Sequence, residues 1–329
     1  MSSLLFTLHG VTLGLAWFAI ANAVATLGPA WMLRHPPRQP RVKPAGWWLA
    51  MRLFPAAAST VLVTALFVPS YWMFEPRDYD EGFQAVIALM AFAGVSVLAA
   101  AAGRAGAAWT RAERRARAWM SRAQPIALPG TPAPAFAVDC DAPVMALVGI
   151  FRPRLFVSRS VLSLLNEDEL AAAVAHEAGH RRAFDNLKRL AVCAAPDWFA
   201  GTRTARNIEQ QWASAAEHEA DRSTYAIVEG RARTTARCAL ASAIVKVARL
   251  TPPSPIVAEP ISTLVDGSDI QSRVCALLDG AAPVEPRRRW RTAVAAAAAI
   301  VALVAAIDAY SPLLRGAHEA TELLVHLLP

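Results

Sequence analysis

Four apolar runs limit what this chain can fold into. Leu4 to Leu27, Leu53 to Met73 and Gly82 to Gly103 fill its first third, and Thr292 to Tyr310 lies near its end. At a rise of ~1.5 Å per residue, each of the first three can cross a hydrocarbon core of ~30 Å. Inside such a core every backbone polar group must be satisfied within the segment, so these runs are helices. The fourth is mostly alanine, which gains less from lipid, but Trp290 and Tyr310 flank it where interfacial aromatics are expected. The first run has no basic residue before it and is too long for the apolar core of a cleaved leader, so it reads as a span. Composition agrees, since 55% of the 329 residues are hydrophobic.

The loops orient these spans. Arg34, Arg38, Arg41 and Lys43 follow the first with no acid among them, and Arg77 alone opposes Glu75, Asp78, Asp80 and Glu81 between the second and third. Arginines from Arg104 to Arg122 follow the third, and Arg287, Arg288, Arg289 and Arg291 precede the fourth. Basic flanks stay in the cytoplasm. The expected layout is a multi-pass inner-membrane protein with both termini outside. Residues 1–125 form a membrane domain with three transmembrane helices, 126–289 a cytoplasmic domain, and 290–329 a fourth transmembrane helix with a short outer tail. Leucines in that tail, from Leu313 to Leu328, read as a short interfacial helix.

The net charge of +7 does not imply nucleic-acid binding. Between Pro125 and Pro286 there are 16 basic and 18 acidic residues, so the excess sits on the membrane flanks, where it meets anionic lipid. No basic groove for phosphate is expected. Cys140, Cys193, Cys238 and Cys275 are far apart without a C-x-x-C pair and read as reduced, buried thiols.

In the cytoplasmic part, "QPIALPGTPAP" (Gln124 to Pro134) reads as a linker. Strands are predicted at Ala135 to Val138, Val144 to Val148 and Arg154 to Val157, punctuated by Gly149 and Pro153. Asn166 with Glu169 three residues on is a capping-box arrangement, predicting a helix from Glu167 through His180. Thr202 to Gly230 and Arg231 to Leu250 read as long helices, and Asp269 to Leu278 as a short one. Leu187 to Ala200, broken by Pro196 and Asp197, is too short to span and reads as core or membrane-surface packing.

The chemistry lies in "HEAGH". Helical spacing puts His176 and His180 one turn apart on one face, so both imidazoles can reach one ion. Glu177 stands beside them, where it can take a proton from water. An extension H-x-x-G-x-x-H fails at Ala183 and Asn186. The better source of a third ligand is "AAEHEADRSTY", where Glu217 and Asp221 are four apart on a helix. His218 points ~100° around the helix from Glu217. Spacing alone excludes neither His218 nor Glu219. Two histidines and one carboxylate leave a fourth position open, the pattern of a catalytic zinc.

The segment "MALVGIFRPRLFVSRSVLSLLNEDELAAAVAHEAGHRRAFDN", with "EHEAD" and "DIQSRVCALL", resembles the membrane zinc peptidases of the beta-lactam sensor–transducer (BlaR/MecR-like) antirepressor family. The resemblance covers roughly Val144 to Leu278. It implies an α-helical membrane protein with four transmembrane helices and a cytoplasmic α+β zincin-like (gluzincin) metallopeptidase domain. It implies zinc on His176, His180 and Glu217, with Glu177 as general base. Asp221 and Asp185 would orient ligands, and Met145, Ala146, Leu147 and Val148 would form the edge strand that pairs with an extended substrate. The implied partner is a protein substrate, a DNA-binding winged-helix repressor, and a homodimer is compatible with the layout. Only Ser311 to Pro329 follow the fourth run, with no S-x-x-K motif, so direct drug sensing is not expected. Tyr225, His218 and Arg222 are candidates for the oxyanion partner. Two rival readings are a quality-control peptidase similar to the heat-shock or prenyl-protein membrane peptidases, and a non-catalytic zinc-stabilised adaptor. Glu177 speaks against the adaptor, since a structural site needs no base.

Overall fold

The structure, a computed structural model, describes residues 3–35, 43–76, 84–131, 133–140, 143–226, 230–250, 261–264, 270–280 and 310–327. Among the described residues, three helices are long and apolar enough to cross a membrane: Leu4–Arg34, Ala45–Phe74 and Ala85–Met120. The first lies within α1 (Ser3–Arg34). The second comprises α2 (Ala45–Val61), a π-helical segment (Leu62–Phe67) and α3 (Val68–Phe74). The third is α4 (Ala85–Met120). The expected fourth span, apart from Tyr310, lies outside the described residues, and residues 310–327 are helical (α11). The second run begins eight residues earlier than Leu53, because Ala45 to Arg52 continues the helix against α8 (Arg203–Tyr225).

Close helix crossing in the bundle depends on Gly94. A Cβ there would lie 2.5 Å from the carbonyl oxygen of Leu15, so only glycine lets α4 meet α1 at this point.

The 36 residues of α4 span about 54 Å, more than a hydrocarbon core needs. Its last turns leave the bundle and pack Ala112, Ala116, Trp119 and Met120 against a five-stranded sheet. The strands are β1 (Ala123–Ile126), β2 (Ala135–Val138), β3 (Met145–Val148), β4 (Arg154–Ser158) and β5 (Ile261–Thr263), in the order β1-β2-β4-β3-β5. Among the described residues, only β2 and β4 pair in parallel. The strand β1 overlaps the start of the stretch read as a linker. Its Pro125 hides it from propensity, yet β1 is an edge strand, where a missing N–H can face outward.

The other sheet face carries the main core. Met145, Leu147, Leu155 and Val157 pack against Ala172, Ala173 and Val174 of α6 (Glu167–Ala183) and against Leu240, Ile244 and Val247 of α9 (Gly230–Leu250). The remaining helices are α5 (Arg159–Leu164), α7 (Asp185–Ala194), α8 (Arg203–Tyr225) and α10 (Ile270–Asp279). Thr202 caps α8 by accepting from the Ala205 amide. That helix stops at Tyr225 rather than running to Gly230, which instead opens α9 with φ +59°. All four cysteines are free, as expected, but Cys238 and Cys275 are exposed rather than buried.

The stretch from Leu187 to Ala200 forms most of α7 and a turn docked into the bundle. Asn22 of α1 donates to the Pro196 carbonyl (2.8 Å) and accepts from the Trp198 amide (3.1 Å). Arg52 of α2 donates to Asp197 (2.7 Å) and to Glu209 of α8 (2.6 Å). Arg104 of α4 donates to the Ala195 carbonyl. A domain bearing polar chemistry is thereby fixed to helices suited to lipid.

Candidate metal centre and active site

The capping box forms as its sequence requires. Asn166 Oδ1 accepts from the Glu169 amide and Glu169 Oε2 accepts from the Asn166 amide, each at 2.9 Å. Glu169 also takes Ser242 Oγ (2.6 Å) and Lys246 Nζ (2.7 Å) of α9, so the start of α6 is tied to its neighbour. Further along, His176 and Glu177 are fully buried and His180 is 1% exposed. These polar groups face α8 and not solvent.

Gly179 sets how close α6 and α8 come. A Cβ at this position would collide with Ser223 Oγ and stand 3.2 Å from Ala220 Cα. The close approach brings Glu217 to the histidine pair. His176 Nε2 and His180 Nε2 lie 3.1 Å apart, and Glu217 stands 3.5 Å from the first through Oε2 and 3.3 Å from the second through Oε1. These three residues offer ligand atoms within 4.8 Å of one another.

The outer nitrogens are held as well. His176 Nδ1 is 2.9 Å from Asp221 Oδ1, and His180 Nδ1 is 2.8 Å from Asp185 Oδ2. The hydrogen bond with Asp185 fixes the proton on His180 Nδ1 and leaves the lone pair on Nε2, and Asp221, close to His176 Nδ1 though not in well-directed hydrogen-bond geometry, favours the same tautomer there. Two such lone pairs facing each other repel unless a cation lies between them. Neither oxygen of Glu217 accepts a well-directed hydrogen bond among the described residues, although both are buried. Converging acceptors with an under-satisfied buried carboxylate fit a divalent ion, and the donor set of two imidazoles and one carboxylate suits zinc.

Arg273 of α10 compensates the acidic side. It donates through Nε (2.8 Å) and Nη2 (2.7 Å) to Asp221 and places Nη1 3.0 Å from Glu217 Oε2. Burial would raise both carboxylates, but Arg273 brings Asp221 down to about 2, and His180 with Arg273 holds Glu217 well below the carboxylate range. Burial would likewise depress His180, yet Glu217 and Asp185 push it up to about 10. With no metal between them, these carboxylates would hold a proton on the imidazole pair.

The turn after α6 places Asp185. Phe184 adopts φ 56° and ψ 37°, a left-handed conformation costly for a bulky non-glycine residue, and it joins α6 directly to α7. Asp185 thus returns under His180, braced by Lys188 Nζ at 2.8 Å. Next to it, Asn186 Nδ2 donates to the carbonyls of Leu147 (2.9 Å) and Gly149 (3.1 Å), which ties the site to β3.

Several expectations are resolved by this arrangement. Of the candidates for a third ligand, Glu217 stands close enough to both histidines to share an ion with them, whereas His218 Nε2 meets Ser272 Oγ (3.2 Å) and Glu219 accepts from the Ala45 amide at the start of α2 (2.9 Å). Tyr225 packs in the main core with its ring 5.9 Å from the Arg237 guanidinium. The expectation that Met145, Ala146, Leu147 and Val148 form a free edge is corrected. All four are buried, and β5 pairs antiparallel with Ala146, Leu147 and Val148. A three-residue strand has too little pattern to be read from sequence. Sequence reasoning also gave no role to Arg273, Gly179 or Phe184. The arginine had a visible signal in "DIQSRVCALL", while the other two depend on helix approach and backbone geometry.

Residues 110–250 match the family model of peptidase family M48. A search of the curated proteins finds no match. The matched stretch takes in the sheet from β1 to β4 and both helices that carry the candidate ligands, and it supports a metallopeptidase. Peptidases of that kind are metal-dependent, typically through zinc, which agrees with the donor set of His176, His180 and Glu217.

Proposed function

From the match to peptidase family M48 and the geometry of its two ligand helices, we propose that this chain is a membrane-embedded zinc endopeptidase. The observation that carries the reading is the convergence of two buried Nε2 atoms and a buried carboxylate, with each Nδ1 held by its own acid. Zinc at this position would polarise a scissile carbonyl and lower the pKa of water.

The remaining steps belong to the chain. Glu177, fully buried beside His176, accepts a proton from the attacking water and returns it to the departing amine as the carbon–nitrogen bond breaks. Asp221 and Asp185 keep both imidazoles in one tautomer and orientation. Arg273 keeps Glu217 ionised and fixes its position. The buried Glu177 suits a base better than the adaptor reading does, because a purely structural site leaves such a carboxylate without a task.

The basic and acidic loops favour a cytoplasmic peptidase face. The resemblance of Val144 to Leu278 to the antirepressor peptidases favours a DNA-binding repressor as substrate. Glu177→Gln tests the chemistry: metal analysis of detergent-purified protein should show zinc retained, while peptide cleavage falls by about 10²-fold or more. Undiminished cleavage would sink the assignment. In cells, this variant should leave one repressor full-length that the unaltered chain shortens. A broad accumulation of misfolded membrane proteins would point to quality control instead.

A further inference from the structure

A second cluster of metal-ligating side chains lies at the far end of the bundle. The helix from Ala45 to Phe74 begins where Ala45 donates to Glu219, beside the peptidase site, and ends at Glu75, roughly 45 Å further along at 1.5 Å per residue. There α11 docks across the bundle. Ser70 Oγ donates to the Leu314 carbonyl (2.8 Å), Trp17 Nε1 to Thr321 Oγ1 (3.1 Å) and Gln84 Nε2 to the Val325 carbonyl (2.9 Å). Leu314, Thr321 and Val325 are buried along the docking stripe, and His318 sits within it.

His318 faces Glu75, whose side chain is only 9% exposed. Their closest atoms, Nδ1 and Oε2, are 3.8 Å apart, too far for a hydrogen bond. Two donors on a shared ion at ~2.1 Å each stand ~3.4 Å apart in tetrahedral geometry, so this gap is near the spacing of two ligands. Glu322, one turn beyond His318, completes a set whose ligand atoms lie within 4.8 Å of one another. His326 extends the stripe, with Nε2 3.9 Å from Glu322 Oε2. The spacing from His318 to Glu322 to His326 repeats every four residues, so one helix face presents nitrogen, oxygen and nitrogen in line.

We infer that Glu75, His318 and Glu322 form a second divalent transition-metal site, which pins α11 to the end of α3. The mixed nitrogen and oxygen set selects a borderline ion of the zinc, cobalt or nickel type over calcium or magnesium. The competing explanation is a metal-free ion pair serving only to hold α11 in place. This inference is independent of the peptidase reading, since it shares no residue with it.

The test is metal stoichiometry on the full chain in detergent, loaded with zinc alone and freed of excess. The unaltered chain should hold two equivalents. The double variant His318→Ala with Glu322→Ala should hold one, and Glu217→Ala should hold one through the other site. Glu75→Gln keeps the size and packing of the side chain, serves if the double variant fails to fold, and should also drop to one. A single equivalent in the unaltered chain, or two equivalents in the His318 and Glu322 variant, overturns the site. Loss of metal by the Glu217 variant alone would leave the peptidase centre standing without this one.

Discussion

His180 shows how much of the site depends on single interactions. Its burial works against a charged ring, yet Glu217 and Asp185 push it up from 6.5 to about 10. A base whose folded pKa is raised gives stability that is complete below its ordinary value and lost as pH climbs through the folded one. In metal-free protein that window opens at 6.5 and closes near about 10. Zinc held at the proposed centre would take the deprotonated ring and so would have to displace this proton. The rise in unfolding temperature that zinc produces should therefore grow as pH increases from 6.5. Thermal unfolding with and without zinc across the window checks this, and an increment that stays flat or shrinks would remove His180 from the ligand set. At this scale the sequence was informative. His176, Glu177 and His180 could be read from spacing, because a helix fixes which side chains share a face. Arg273 received no role, although it holds both Asp221 and Glu217, because that pairing joins positions 52 residues apart and longer. The segment "DIQSRVCALL" marks Arg273 only as part of a motif and does not say which distant carboxylates it meets.

Among the elements, the approach of α6 to α8 decides whether ligands on separate helices can meet. Glycine inside a helix ordinarily lowers its stability by ~1 kcal/mol relative to alanine. At position 179 the balance reverses, since a methyl group would meet Ser223 Oγ and the Ala220 backbone. Gly179→Ala should cost about 1–3 kcal/mol through overpacking and should weaken zinc binding by moving Glu217 from the imidazoles. Adding Ser223→Ala should recover only part of the loss, because the backbone of Ala220 would still crowd the new methyl group at 3.2 Å. Chemical unfolding and zinc titration of both variants measure this. Stability equal to the unaltered chain in Gly179→Ala would show that the helices can separate freely. Legibility at this scale followed the strength of local signals. The capping box at Asn166 and Glu169 marks the start of α6, and the strands from Ala135, Met145 and Arg154 carry enough apolar pattern to be found. The strand β1 was hidden by Pro125, and β5 offers only three residues. The edge reading of β3 is what the family resemblance implies, and β5 pairs along that edge.

The whole molecule is held together by charges buried between the bundle and the peptidase domain. Arg52 is 2% exposed, Asp197 is fully buried in its side chain, and the two meet at 2.7 Å. Asp197 lies in the turn that Asn22, Arg52 and Arg104 grip from three different helices, while Glu209 on the ligand-bearing α8 takes the other side of Arg52 at 2.6 Å. Hydrophobic burial alone could join two domains in several registers. A buried pair permits only the register in which both charges are satisfied, at a cost in desolvation. Arg52→Met should therefore destabilise the protein by about 3–5 kcal/mol, because Asp197 would be left buried without its cation. The double variant Arg52→Met with Asp197→Asn removes the stranded charge and should regain most of that loss. Glu209 is 32% exposed and can turn to solvent, so it should add little to the penalty. Thermal unfolding in detergent measures stability, and zinc content reports whether α8 remains in position. If the double variant is as unstable as Arg52→Met alone, the charge pair is not what joins the domain to the bundle, and the apolar packing of Trp48 with Trp212 and Phe199 must carry that task instead.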